Sequence, residues 1–308
     1  MLFRSSSQDA INSIAKVLPT FFGGSADLSH SNMTFIKGEG LQDDAHRTER
    51  NIQFGVREFA MATVLNGMML HGGVRVFGGT FFVFSDYLKA ALRLSALQNL
   101  PVTYVFTHDS IAVGEDGPTH EPIEHLASLR TIPNTYVFRP ADATETQAAW
   151  YLAQNVNDKP TSIVLTRQNL PVLENLSFEK VAKGAYVVYE TSSDFDTILI
   201  ATGSEVALAI SVAQELEREG MKVRVVSMPS IELFEEQTSE YKEALLPRSI
   251  RRRVSLEMGN TALWYKYVGL DGLAIGIDKF GASAPANKVI EEYGFSVEKV
   301  VARIKNEL

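Results

Sequence analysis

Val102-Thr103-Tyr104-Val105-Phe106 runs directly into Thr107-His108-Asp109-Ser110-Ile111-Ala112-Val113-Gly114-Glu115-Asp116-Gly117-Pro118-Thr119-His120. The first five residues form an apolar, β-branched run that reads as a buried strand. The stretch after them holds two histidines and three carboxylates, broken by two glycines and a proline. Open α/β sheets place their chemistry beyond the carboxyl ends of their strands. Glycine lets backbone approach a ligand and proline fixes the path. The junction therefore predicts a parallel sheet with a rigid polar rim.

The same alternation extends outward. Helix patterns occupy 7–17, 57–70, 85–98, 122–130 and 144–155, with Gly72-Gly73 as a stop and Pro122 in a first turn. Strand patterns occupy Val74–Phe77, Val102–Phe106, Thr135–Phe138 and Ser162–Thr166, and Gly23-Gly24-Ser25-Ala26-Asp27 reads as a loop. Residues 171–195 lose the periodicity, although Tyr186 to Tyr189 suits a strand. A second unit then opens with strands at Thr197–Ala201, Val223–Ser227, Val254–Met258 and Leu273–Ile277. Thr202-Gly203-Ser204-Glu205 has capping-box spacing ahead of an apolar helical face, Gly220 ends that helix, and an amphipathic helix spans Val297 to Ile304. The expected fold is α/β: two doubly wound units with mainly parallel sheets, over 1–180 and 181–308.

The chain has 308 residues, 45% of them hydrophobic and 21% charged, which is ordinary for a globular protein. A formal net charge of −8 argues against nonspecific nucleic-acid binding. The chain has no cysteine, so disulfides and thiolate chemistry are excluded. No leader peptide stands out at Met1-Leu2-Phe3-Arg4-Ser5, and no apolar run reaches the ~20 residues of a membrane helix. The expectation is a cytoplasmic protein with no membrane partner.

Six segments stand in one order: Gly24-Ser25-Ala26-Asp27-Leu28, Gly55-Val56-Arg57-Glu58-Phe59-Ala60-Met61, Phe77-Gly78-Gly79-Thr80-Phe81, the 107–120 stretch, Arg139-Pro140-Ala141-Asp142 and Thr166-Arg167-Gln168-Asn169-Leu170-Pro171. Together they resemble the latter half of transketolases, the pyrimidine-binding domain followed by the C-terminal domain. The Gly-Asp-Gly motif by which the family's N-terminal domain holds the cofactor tail has no counterpart here. The resemblance therefore implies a split subunit or a fragment that needs an N-terminal diphosphate-binding half. Mg2+ is expected on that missing half, no metal on this one, and a homodimer is expected because the family's sites lie between subunits.

The roles below are what the resemblance implies. Glu58 hydrogen-bonds the aminopyrimidine of thiamine diphosphate and relays a proton. Its neighbours Val56, Phe59 and Met61 suit a partly buried carboxyl; the plain alternative is a surface charge paired with Arg57. Phe81, Phe84 and Tyr87 surround the pyrimidine ring, with Phe84 stacked on it, while Phe77 and Phe82 suit the core. Asp27 supports the cofactor pocket or merely caps a turn. His108, Asp116 and His120 meet the sugar, and both histidines can exchange protons near pH 7. Arg4, Ser31 and Arg167 suit a clamp for the substrate phosphate. Asp109, Glu115 and Glu124 read as loop or helix-start charges, and His30, His46, His71 and His125 as surface or packing residues.

The implied function is transfer of a two-carbon ketol unit between ketose and aldose phosphates in the pentose phosphate pathway. The rivals are dihydroxyacetone synthase, a two-oxo-acid dehydrogenase β-type subunit, and a catalytically silent dimerisation or regulatory module.

Overall fold

The computed structural model describes residues 3–174 and 176–308. Met1, Leu2 and Asn175, assigned from sequence to the opening segment and the linker, lie outside the described residues. Two sheets organise the described chain. The first uses β1 (Phe21–Ser25), β2 (Asn51–Gln53), β3 (Arg75–Phe81), β4 (Thr103–Thr107), β5 (Tyr136–Phe138) and β6 (Thr161–Leu165). Their order is β2-β1-β3-β4-β6-β5, and every pairing is parallel. The second sheet uses β7 (Tyr186–Glu190), β8 (Thr197–Ala201), β9 (Val223–Ser227), β10 (Arg252–Leu256) and β11 (Leu273–Ile275) in the order β11-β10-β8-β9-β7. It is mixed, because the edge strand β7 runs antiparallel to β9.

Period-two alternation in the strands feeds two separate cores on the first sheet. Val76, Tyr104, Phe106 and Val164 face helices Glu58–His71 and Ser85–Leu97, where they meet Met61, Leu65, Leu88 and Leu92. The residues between them, Phe77, Val105 and Ile163, face helices Phe3–Val17 and Ala143–Asn155 with Phe21, Ile11 and Trp150. Trp150 sets its edge against Phe21 and Phe77 at centroid distances of 6.2 and 6.0 Å. Phe77 and Phe82 are fully buried, as expected of core residues. The second sheet is covered in the same way, by Val206, Ala209, Val300 and Ile304 on one face and Phe234, Leu245, Trp264 and Tyr267 on the other.

Three local expectations are corrected. Gly23 to Ser25 is not loop but the end of β1, paired to β2 and β3. The helix expected from Pro122 begins at His125. No capping box forms at 202–205: Ser204 is the N-cap and makes no side-chain cap bond. Thr202 and Glu205 turn instead to Arg139, and Thr202 also to Glu257. No helix among the described residues is long and apolar enough to cross a membrane.

Candidate active site

Because the first sheet is parallel, all its carboxyl ends share one edge. Asp27 follows β1, Glu58 follows β2, Phe84 follows β3, His108 follows β4 and Arg167 follows β6. Helix Glu58–His71 lies against β3. A Cβ added to Gly78 would sit 2.5 Å from Leu65 Cδ1 and 3.1 Å from Met61 Sδ, so glycine is what admits this close approach. Met61 is one turn from Glu58, and the helix runs antiparallel to the strand. Glu58 thereby comes to the end of β3 that bears Phe81 and Phe84.

The centre of the edge is an aromatic wall. Phe81 stacks on Phe84 at 6.1 Å and 13°, and Phe84 continues to Tyr87 at 6.0 Å. His108 lies 3.7 Å from the Phe81 ring centroid, and His120 stands edge-on to Phe84 at 5.5 Å. Phe81 and Phe84 are half-buried, whereas Tyr87 is 66% exposed.

Beside this wall is a cluster of cations. His108 is buried and has a left-handed φ of 63°. Burial, then the charges of Arg4 and Arg167, then His120, hold its imidazole down at about 3. Hydrogen bonding fixes its tautomer. Ser25 Oγ donates to the Gly79 carbonyl, so it accepts from Asn32 Nδ2 at 3.0 Å. Asn32 Oδ1 then accepts the Thr107 hydroxyl at 2.7 Å, which leaves Thr107 Oγ1 to accept from His108 Nδ1–H at 2.9 Å. His108 is a neutral ring whose Nε2 is left as an acceptor with no hydrogen bond among the described residues. Proton exchange near pH 7, expected from its residue type, is thus not its state among these cations. Arg4 lies in helix Phe3–Val17 and donates to the Ser31 carbonyl; burial and Arg167 both lower its pKa. Arg167 is exposed, and its neighbour Gln168 ties that segment to the Ala112 carbonyl of the rim.

The remaining residues are less closely joined. Glu58 is 8% exposed and its side chain makes no hydrogen bond or ion pair among the described residues, although its neighbours Val56 and Phe59 are themselves exposed. The pairing with Arg57 does not form; Arg57 donates to the Phe54 carbonyl. Asp27 adopts a φ of 61° and lines a hollow with Ser31, Asn51 and Gln53. Asp116 is exposed on the rim and raises the buried Glu121, whose own burial is the larger cause of its position at about 7.

Sequence reasoning missed the anchors. Asp109, read as a loop charge, is buried and paired with Arg139 at 2.9 Å. Arg139 reaches on to Thr202 and Glu205 in the second unit. Arg130 grips Glu257 bidentately at 2.8 and 2.9 Å. Burial would raise Glu257, but Arg130 and Arg139 outweigh it and hold the carboxyl at about 2. The signal for Arg139 was its place in the Arg-Pro-Ala-Asp segment; its partners are too distant in sequence for spacing to reveal them.

Residues 1–172 match the transketolase pyrimidine-binding domain family, and residues 184–296 match the transketolase-like C-terminal domain family. The chain is 71% identical over 303 residues to a probable transketolase of Streptococcus pneumoniae, covering 98% of this chain and 46% of that protein. It superposes on the Pichia stipitis transketolase complex with sedoheptulose 7-phosphate with a TM-score of 0.96 and 41% identity, covering all of this chain and 46% of that one. A split-gene transketolase described as an inactive β4 tetramer shares the fold at a TM-score of 0.79 and 24% identity, covering 100% of this chain and 99% of that one. The chain spans about half the length of the curated relatives it matches. With two family domains over most of its length, the chain belongs to the transketolase family.

Proposed function

We propose that this chain is the pyrimidine-binding and C-terminal portion of a transketolase, divided near residue 180, and that it transfers a two-carbon ketol unit between sugar phosphates once joined by a diphosphate-binding portion. That portion, from the same longer protein or a second chain, would hold the diphosphate and Mg2+. The carrying observation is the gathering of Phe81, Phe84, His108 and His120 with Arg4 and Arg167 on one sheet edge.

The residues present fit half of thiamine diphosphate. Phe84 and Tyr87 offer accessible aromatic surface to a flat ring, and the carboxyl of the buried residue Glu58 is unpaired among the described residues. The chemistry supplied by the cofactor, when bound, is reversible addition to a carbonyl carbon with cleavage of the adjacent carbon–carbon bond. Glu58 would hold a proton against a ring nitrogen, and the aromatic wall would orient the ring and exclude water. Arg4 and Arg167 would bind the sugar phosphate bidentately, with Ser31 alongside. Asp116 would accept a hydrogen bond from a chain hydroxyl, and His120 would face the reacting carbon. The exposed apolar residues Val56, Phe59, Val64 and Leu70 on and beside helix Glu58–His71 support burial against another subunit, including a second copy.

The test is calorimetry and turnover. Alone, the chain should bind thiamine diphosphate weakly, without dependence on Mg2+, and should not turn over. With a transketolase diphosphate-binding portion added, it should convert a ketose phosphate and an aldose phosphate. Tight, Mg2+-dependent binding by the chain alone would contradict the division of labour. Preference for formaldehyde as acceptor would make the enzyme a dihydroxyacetone synthase.

A further inference from the structure

We propose that Asp86, Glu124 and His125 form a Zn2+-class metal site that pins the first turn of helix Ser85–Leu97 to helix His125–Arg130. His125 is 5% exposed, yet neither ring nitrogen makes a hydrogen bond. A buried imidazole without a partner is unfavourable. The ring instead faces two carboxylates: Nε2 is 3.3 Å from Asp86 Oδ2, and Nδ1 is 3.8 Å from Glu124 Oε2. One ligand atom from each of the three residues lies within 4.8 Å of the others.

The spacing suits an ion better than a hydrogen bond. Bonds of ~2.0 Å in a tetrahedral site set ligand atoms about 3.3 Å apart, which is the Nε2–Oδ2 separation. Lys89 occupies the other Asp86 oxygen, Oδ1, at 3.2 Å, and is itself held by Ser128 at 3.0 Å. Oδ2 is therefore the oxygen left for the ion. Glu124 is exposed and its carboxylate makes no hydrogen bond among the described residues, so it is free to turn toward the ion. One imidazole, two carboxylates and a water make a borderline donor set that suits Zn2+. An ion here would couple the aromatic wall, through Phe84 and Tyr87 on either side of Asp86, to the segment that follows His120.

The probe is Co2+, titrated into the full chain without cofactor or sugar, so the result is independent of the transketolase reading. The expected result is a visible absorption band saturating at one Co2+ per chain and abolished by Zn2+. H125Q and D86N should each weaken Co2+ binding by more than about tenfold, since losing a ligand exceeds the loss of an outer partner. Should H125Q fail to fold, D86N, at an exposed position, decides alone. No binding at millimolar Co2+ would overturn the proposal, by leaving the ring and its two carboxylates without an ion. Affinity unchanged by D86N would also overturn it, by assigning the ion elsewhere, such as the exposed His46–Asp43 pair.

Discussion

His108 supplies the sharpest test of the cationic cluster. Its folded-state midpoint of about 3 lies below the ordinary 6.5, so between these values the unfolded chain binds a proton that the folded chain refuses. Stability must therefore fall as pH drops through that window and must be fully retained above it. At pH 5 the unfolded imidazole is almost wholly charged and the folded one almost wholly neutral. Going from pH 7 to pH 5 should cost ~2 kcal/mol through this residue alone. Urea unfolding of the wild type and of His108→Gln at both values isolates that cost as a difference, since the other titrating groups are common to both. The imidazole Cε1–H resonance gives the folded midpoint directly. Inorganic phosphate should raise that midpoint, because an anion between Arg4 and Arg167 reverses the field that keeps the ring neutral. A midpoint near 6.5 without phosphate, or no upward movement on adding it, would refute the reading of Arg4, Arg167 and His108 as one electrostatic unit.

Glu58→Gln in the reconstituted enzyme should lower turnover by ~100-fold or more with an unchanged melting temperature; near-normal turnover would remove Glu58 from proton relay. Arg167→Ala should raise KM for phosphorylated sugars far more than kcat falls, and should leave KM for an unphosphorylated donor nearly unchanged. Arg130→Ala strands the buried Glu257 carboxylate and should destabilise the chain by ~3–5 kcal/mol in urea, where a loss below 1 kcal/mol would show the pair to be dispensable.

Much of the frame was legible because strand composition and face alternation are local properties. Val102–Phe106 announced β4, and the polar stretch after it lies at the carboxyl edge of the sheet. By contrast, β2 is a three-residue strand with no apolar run to betray it. It is set by Asn51, whose amide bonds the backbone of Ile36, Glu39 and Gly40. The capping box failed for the same reason: Thr202 and Glu205 had stronger partners in Arg139 and Glu257 than in their own helix. The proposed site residues rest on motif order, which is also a local property of the chain. The neutral state of His108 was not legible, because it depends on burial and on Arg4 and Arg167, which lie more than fifty residues to either side.

The second unit holds none of the residues assigned to the reaction, yet it fixes the rim that does. Asp109, next to His108, is clamped by Arg139, whose guanidinium is fully buried and also grips Thr202 and Glu205 at the start of helix Glu205–Arg218. Further along, the Glu115 carbonyl accepts the Ser283 hydroxyl at 2.6 Å. An added Cβ at Gly114 or Gly117 would press to 3.0 Å against the 283–286 segment, so glycine there eases the close contact between the units as well as permitting the positive φ of each residue. A loop of this length on one sheet edge would ordinarily be among the more mobile parts of a protein. Here its flanks are tied to a second folded core by a charge network whose disruption leaves buried ions unpaired. The position of the rim is thus set by contacts across the two units as well as by the loop itself.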